Sequence, residues 1–99
     1  AAYLGVVTAD LSTEAIQMYD MPEGAFVIRV EKNSAAGKAG IQKGDIIVSF
    51  DGQTVSGKDD LESKLAYYAS GETVDVVVSR ADNGEYVQKT ISVTLGSKN

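Results

Sequence analysis

With 99 residues, the chain has material for one small domain with a single core and none for a second lobe. Apolar residues at 43% and charged residues at 23% are the balance of a folded globular unit, which excludes a disordered or membrane-embedded chain. Nine Lys and Arg stand against 14 Asp and Glu, with no basic cluster, which excludes a nucleic-acid footprint.

Near the start, Tyr3-Leu4-Gly5-Val6 sets one glycine between apolar residues, ahead of an extended run, Val7-Thr8-Ala9. Around a glycine the backbone can turn so that successive N–H groups converge on one point, a small nest for a carboxylate. The same string also fits the plain start of a buried strand. Ser12 then stands where an N-cap would, with Glu14 in the first turn and Ile16 and Tyr19 three apart. That spacing predicts a short helix, ended by Met21-Pro22-Glu23-Gly24. The β-branched and aromatic run Ala25 to Val30 predicts a strand. Ser34 caps a single helical turn over Ala35 to Ala39, and Gly40 followed by apolar Ile41 has the pattern of a left-handed stop. Gly44-Asp45 reads as a turn leading into the strand Ile46 to Phe50, and Asp51-Gly52 turns the chain toward Thr54-Val55.

A longer helix is predicted from Ser56, as its N-cap, to Ser70-Gly71, with Leu61, Leu65 and Tyr68 on one face. Tyr67 and Tyr68 point about 100° apart, and Tyr68 is the one assigned to that face. Two strands follow, Val74 to Arg80 and Tyr86 to Leu95, joined through Asn83-Gly84, a dipeptide favoured in tight hairpins. In the second, Val87, Ile91, Val93 and Leu95 form the core side by alternation. Residues 1–96 are read as one domain and residues 97–99 as a frayed tail.

The chain contains neither cysteine nor histidine. No disulfide, thiol nucleophile, Ser-His-Asp triad or Cys/His zinc site can therefore be built from it. A Ser-Lys dyad has nothing to position it, and Asp59 and Asp60 are explained by the start of a helix. The expectation is a non-enzymatic chain with no cofactor and no metal. No run approaches the roughly 20 apolar residues of a membrane span.

Taken together, Tyr3-Leu4-Gly5-Val6, the string Ser34-Ala35-Ala36-Gly37-Lys38-Ala39-Gly40-Ile41-Gln42-Lys43-Gly44-Asp45-Ile46-Ile47, and Asp60-Leu61 with Gly71 resemble a PDZ domain. The likeness is strongest to PDZ domains that follow the trypsin-like domain in bacterial HtrA (Deg) proteases. It implies an α+β, mainly β fold: a partly open β-sandwich or barrel of five to six strands, capped by two helices, in the circularly permuted bacterial order. It also implies a groove in which a peptide with a free C-terminus lies as an added strand. Tyr3, Leu4, Gly5 and Val6 become the carboxylate loop, Val6, Val7 and Thr8 the pairing strand, and Leu61, Lys64, Leu65 and Tyr68 the groove helix and pocket. Leu61 and Leu65 would equally be apolar on any helix packed against a sheet. On this reading Gly5 acts through the nest, and a valine there is expected to weaken peptide binding while leaving the fold largely intact.

The chain departs from the family pattern in three places. Ala1 and Ala2 stand where many relatives carry Arg or Lys before the loop. Asp59-Asp60 replaces the histidine by which some relatives select Ser or Thr two residues before the peptide end. Ala35 and Gly37 stand where relatives often have Pro and Ala. The resemblance implies capture of C-terminal peptides or unfolded protein tails, for delivery to, or regulation of, an attached serine protease in the cell envelope. The fragment is expected to be a monomer, and its membrane-anchored parent an oligomer. The alternative is a scaffold PDZ domain, or one attached to another class of peptidase.

Overall fold

The computed structural model describes residues 2–97. In chain order the elements are β1 (Ala2–Tyr3), β2 (Val6–Asp10), α1 (Thr13–Tyr19), β3 (Ala25–Val30), α2 (Ala35–Ala39), β4 (Ile46–Phe50), β5 (Gln53–Thr54), α3 (Lys58–Leu65), β6 (Thr73–Asp82), β7 (Glu85–Thr94) and β8 (Gly96–Ser97). The main sheet is antiparallel in the order β2-β3-β4-β6-β7, with β5 beside β4. Among the described residues β2 is an edge strand: β3 pairs with one side and no strand pairs with the other. The mainly β architecture implied by the resemblance is the one found.

The caps form as the sequence dictates. Ser12 Oγ accepts from Ala15 N at 3.0 Å to start α1, and Ser34 Oγ accepts from Gly37 N at 3.0 Å to start α2. Gly40, at φ +100°, ends α2 in the left-handed region, with its N–H bonded to the carbonyls of Ala36 and Gly37. The β6–β7 hairpin turns at Asn83 and Gly84, both at positive φ. One continuous core of Leu4, Val27, Ile47, Phe50, Val55, Leu61, Val76, Val78, Val93 and Leu95 lies between the sheet and α3.

Four local expectations are corrected. Ser97 is not frayed: it pairs with Ala2, as Gly96 pairs with Tyr3, so the end of the described chain ties down its beginning. Lys98 and Asn99 lie outside the described residues. The N-cap of α3 is Gly57 rather than Ser56, and the helix ends at Leu65. Its first turn is capped from a distance, because Asp10 Oδ1 accepts from Lys58 N at 2.8 Å, while Asp60 Oδ2 reaches back to Ser56 N at 2.9 Å. Asp45 is more than a turn residue. Only 1% exposed, it accepts from Gln42 N and takes a bidentate pair from Arg80, Nε to Oδ1 at 2.8 Å and Nη2 to Oδ2 at 2.7 Å.

Candidate functional site

The site begins with the turn at Gly5, which stands at φ +87°. A Cβ at this position would meet Ser34 Cβ at 2.1 Å, so glycine is required twice over, for its dihedral and for the approach of the Ser34 loop. The carbonyls on either side are engaged: Leu4 O accepts from Ala36 N at 2.9 Å, and Gly5 O from Glu31 N at 2.8 Å. In a trans peptide the C=O of one residue and the N–H of the next point in opposite directions. Holding Leu4 O against α2 therefore turns the Gly5 N–H away from α2. Likewise, holding Gly5 O against the segment after β3 turns the Val6 N–H away from β3, toward the open edge of β2. Among the described residues, neither the Leu4 nor the Gly5 N–H donates in a loop or cap hydrogen bond. Two donors thus face outward at the head of an edge strand, which is the local chemistry of an anion nest.

Across that edge lies α3. Ala2 N donates to Tyr68 O at 3.2 Å, which sets the C-terminal end of the helix beside the Gly5 turn. At the other end, the Asp10 cap on Lys58 N ties the start of the helix to the last residue of β2. Strand and helix therefore run antiparallel along a crevice of about 360 Å³, lined by Ala2, Tyr3, Leu4, Gly5, Val6, Thr8, Leu61, Glu62, Leu65 and Ala66. Val6 and Thr8 face it by strand alternation, whereas Val7, paired with Arg29, faces the other side.

The residues singled out from sequence divide in two. Tyr3, Leu4, Gly5, Val6, Thr8, Leu61 and Leu65 come together at the crevice; Val7 is not among its lining residues. Lys64 and Tyr68 do not join them. They line a concavity of about 500 Å³ on the opposite flank of α3, with Gln53, Asp60, Ser63 and Tyr67. The cause is local pairing. Lys64 Nζ bonds Asp60 Oδ1 at 2.7 Å, one turn back. The Tyr68 ring packs edge-on against Phe50 with centroids 5.1 Å apart, and its hydroxyl donates to Asp51 Oδ2 at 2.5 Å. The same contacts set the local titration. Lys64 holds the Asp60 carboxyl below its ordinary value, and the Asp51 carboxylate pushes the Tyr68 phenol above its own. Asp60, Lys64 and Tyr68 on that flank already have partners, whereas the crevice beside β2 keeps an unpaired strand edge. Sequence reasoning missed Glu62 and Ala66, which follow Leu61 and Leu65 by one residue each on the groove side.

An open edge strand, an outward amide turn and an apolar crevice thus meet at one place on the domain. The PDZ domain family matches residues 2–95, and the chain belongs to that family; it is a non-catalytic domain. Among curated proteins it is 36% identical over 99 residues to a DegP-like periplasmic serine endoprotease from Marinomonas sp. (strain MWYL1), covering 98% of this chain and 20% of that protein. It is 30% identical to a DegP-like protein of the same description from Halomonas elongata, covering 95% and 19%. The chain thus spans about a fifth of the length of the curated relatives it matches. Among solved structures it resembles the HtrA-type protease AlgW with decapeptide, at TM-score 0.75 and 28% identity over 99% of this chain and 30% of that one. The fold also matches the HtrA3 PDZ domain bound to a phage-derived ligand, at TM-score 0.77 and 20% identity over 96% of this chain and 85% of that one.

Proposed function

We propose that this domain captures C-terminal or extended peptide tails as an added strand along β2. The terminal carboxylate sits on the outward amides of the Gly5 turn, and the last side chain enters the crevice bounded by Leu4, Val6, Leu61 and Leu65. The observation that carries this reading is the unpaired side of β2, which opens on an apolar crevice whose head is the Gly5 turn. The peptide-bound AlgW and HtrA3 PDZ structures support it by fold. The DegP-like relatives extend it: the domain recognises tails of unfolded or mislocalised proteins for an attached HtrA-type serine protease, outside the cytoplasm. That parent is membrane-anchored and oligomeric, and the isolated domain is monomeric.

Main-chain pairing supplies sequence-tolerant affinity, and the terminal pocket discriminates. A short peptide then binds at roughly micromolar Kd or weaker, about −6 to −8 kcal/mol. Titration calorimetry of one peptide as free acid and as C-terminal amide tests the nest. The amide is expected to bind about tenfold to a hundredfold more weakly, comparable to removing a buried terminal Leu or Val side chain. Equal affinity of the two forms overturns the carboxylate assignment.

A further inference from the structure

Among the described residues the main sheet has a second edge, β7, at the end opposite β2. Edge strands are ordinarily guarded by being short, bulged or interrupted by proline, because an unpaired ladder invites another chain. None of these guards is present in β7: it runs ten residues without proline, and its register with β6 is unbroken from Glu85 to Thr94. Gln88, Lys89 and Thr90 are exposed, and Val87 places an apolar side chain, 40% exposed, on the same edge.

The bonding phase of β7 follows from Leu95, just beyond its end, whose N–H donates to Glu72 O and whose carbonyl accepts from Gly71 N, both at 2.8 Å. Main-chain groups alternate sides from residue to residue along a strand. Glu85, Val87 and Lys89 therefore direct theirs at β6, and Tyr86, Gln88 and Thr90 aim theirs at the open side. Only Glu85 and Lys89 are charged along β7. They share a face with Val87 but stand about 14 Å apart, too far to meet within one chain. Neither forms a salt bridge among the described residues.

A second copy of β7, related by a two-fold axis, would run antiparallel to the first. The phase admits only odd residues opposite odd and even opposite even. With the axis at Val87, Glu85 of each copy faces Lys89 of the other, while Tyr86 and Gln88 exchange N–H···O=C bonds across the junction. An axis at Lys89 opposes like charges, and an axis at Gln88, Thr90 or Ile91 leaves both charges facing uncharged residues. We propose that β7 is an interface between copies of this chain, paired edge to edge about Val87 with Glu85–Lys89 contacts on either side. Two sheets join into one, and β2 becomes the outer edge at both ends. Five residues a side is well short of the roughly 20–30 of a stable interface, so the isolated domain is a monomer at micromolar concentration and the pairing forms where copies are concentrated or held together. The interface stands independently of the groove reading.

Val87→Cys tests it, because the chain has no other cysteine. At the axis the two Cβ atoms lie about 4.5–5.5 Å apart, a small adjustment from disulfide geometry. Thr90→Cys is the control: on the same edge, it lies six residues, about 20 Å, from its copy. Both positions are exposed, so both variants are expected to keep the wild-type thermal melt. Each is held at about 1 mM in a glutathione redox buffer, and the disulfide-linked dimer is read by mass spectrometry. V87C is expected to give at least about tenfold more dimer than T90C. Adding K89E lowers the V87C yield about fivefold to tenfold, and adding E85K with K89E restores it to within about twofold, because the charges are exchanged and again opposed. Equal yields from V87C and T90C overturn the interface. A V87C yield unmoved by K89E overturns the Glu85–Lys89 pairing on which the proposal stands, and either result leaves the groove reading untouched.

Discussion

Gly5→Ala is expected to destabilise the fold itself, contrary to the expectation that Gly5 serves the nest alone. An alanine at φ +87° costs about 1–2 kcal/mol against its preferred dihedrals. The added carbon would lie 2.1 Å from Ser34 Cβ and 2.7 Å from Ser34 Oγ, where about 3.5–4.0 Å is the comfortable separation for carbons. Relieving that overlap moves backbone, at about 1–3 kcal/mol. The sum, about 2–5 kcal/mol, is a large part of the 5–15 kcal/mol available to a domain. Urea unfolding separates the two contributions when Ser34→Gly is added. Glycine at an N-cap costs only a few tenths of a kcal/mol, yet it removes both atoms that the new Cβ would strike. G5A/S34G is therefore expected to recover about 1–3 kcal/mol relative to G5A, a coupling of the size found between touching residues. A G5A midpoint equivalent to within about 0.5 kcal/mol of wild type, or strictly additive single mutants, refutes the steric reasoning.

Asp45→Ala leaves Arg80 and the Gln42 N–H without their shared acceptor and is expected to cost about 3 kcal/mol, the low end for a broken buried pair because the Arg80 side chain stays 22% exposed. Circular dichroism should show a melting point lower by roughly 12–24 °C, and a shift under about 3 °C would refute the latch. Tyr68 is expected to titrate above the ordinary tyrosine value of 10.0 and to fall back toward it in Asp51→Asn, read by ultraviolet absorbance. Because its folded value is the raised one, the Tyr68–Asp51 contribution is fully present below pH 10 and is lost as pH rises through the folded value. The wild type should lose more stability than D51N over that range, and identical pH profiles would remove the hydrogen bond from the account.

The parts of the fold legible in the sequence are those fixed by neighbours within a few residues. Ser12, Ser34, Gly40 and Asn83-Gly84 are caps and turns, and each forms where its local chemistry places it. The errors fall where a distant group decides. Asp10 caps α3 from 48 residues away, so the boundary at Lys58 carries no local mark. Ser97 looks like a polar tail until Ala2 supplies its partner strand. On α3 the apolar stripe of Leu61 and Leu65 is plain, but two flanks border it, Glu62 with Ala66 and Asp60 with Lys64, roughly 200° apart between Glu62 and Lys64. Which flank faces β2 depends on the direction in which the helix crosses the sheet. Periodicity holds no information on that point, and Lys64 and Tyr68 lie on the flank turned away from β2.

The same distinction shows how the groove is held in shape. Arg80 Nη2 bonds both Asp45 and the carbonyl of Gly40, which ends α2. Helix α2 in turn holds Leu4 O through Ala36 N and presents Ser34 beneath Gly5. The orientation of the outward amides is therefore set by contacts behind the loop, none of which a peptide would touch. In the proposed binding mode, residues that never meet the peptide, Arg80 and Ser34 among them, fix the direction of the donors that would. Their substitution should weaken binding of a free-acid peptide more than of its amide, because only the first depends on where those N–H groups point.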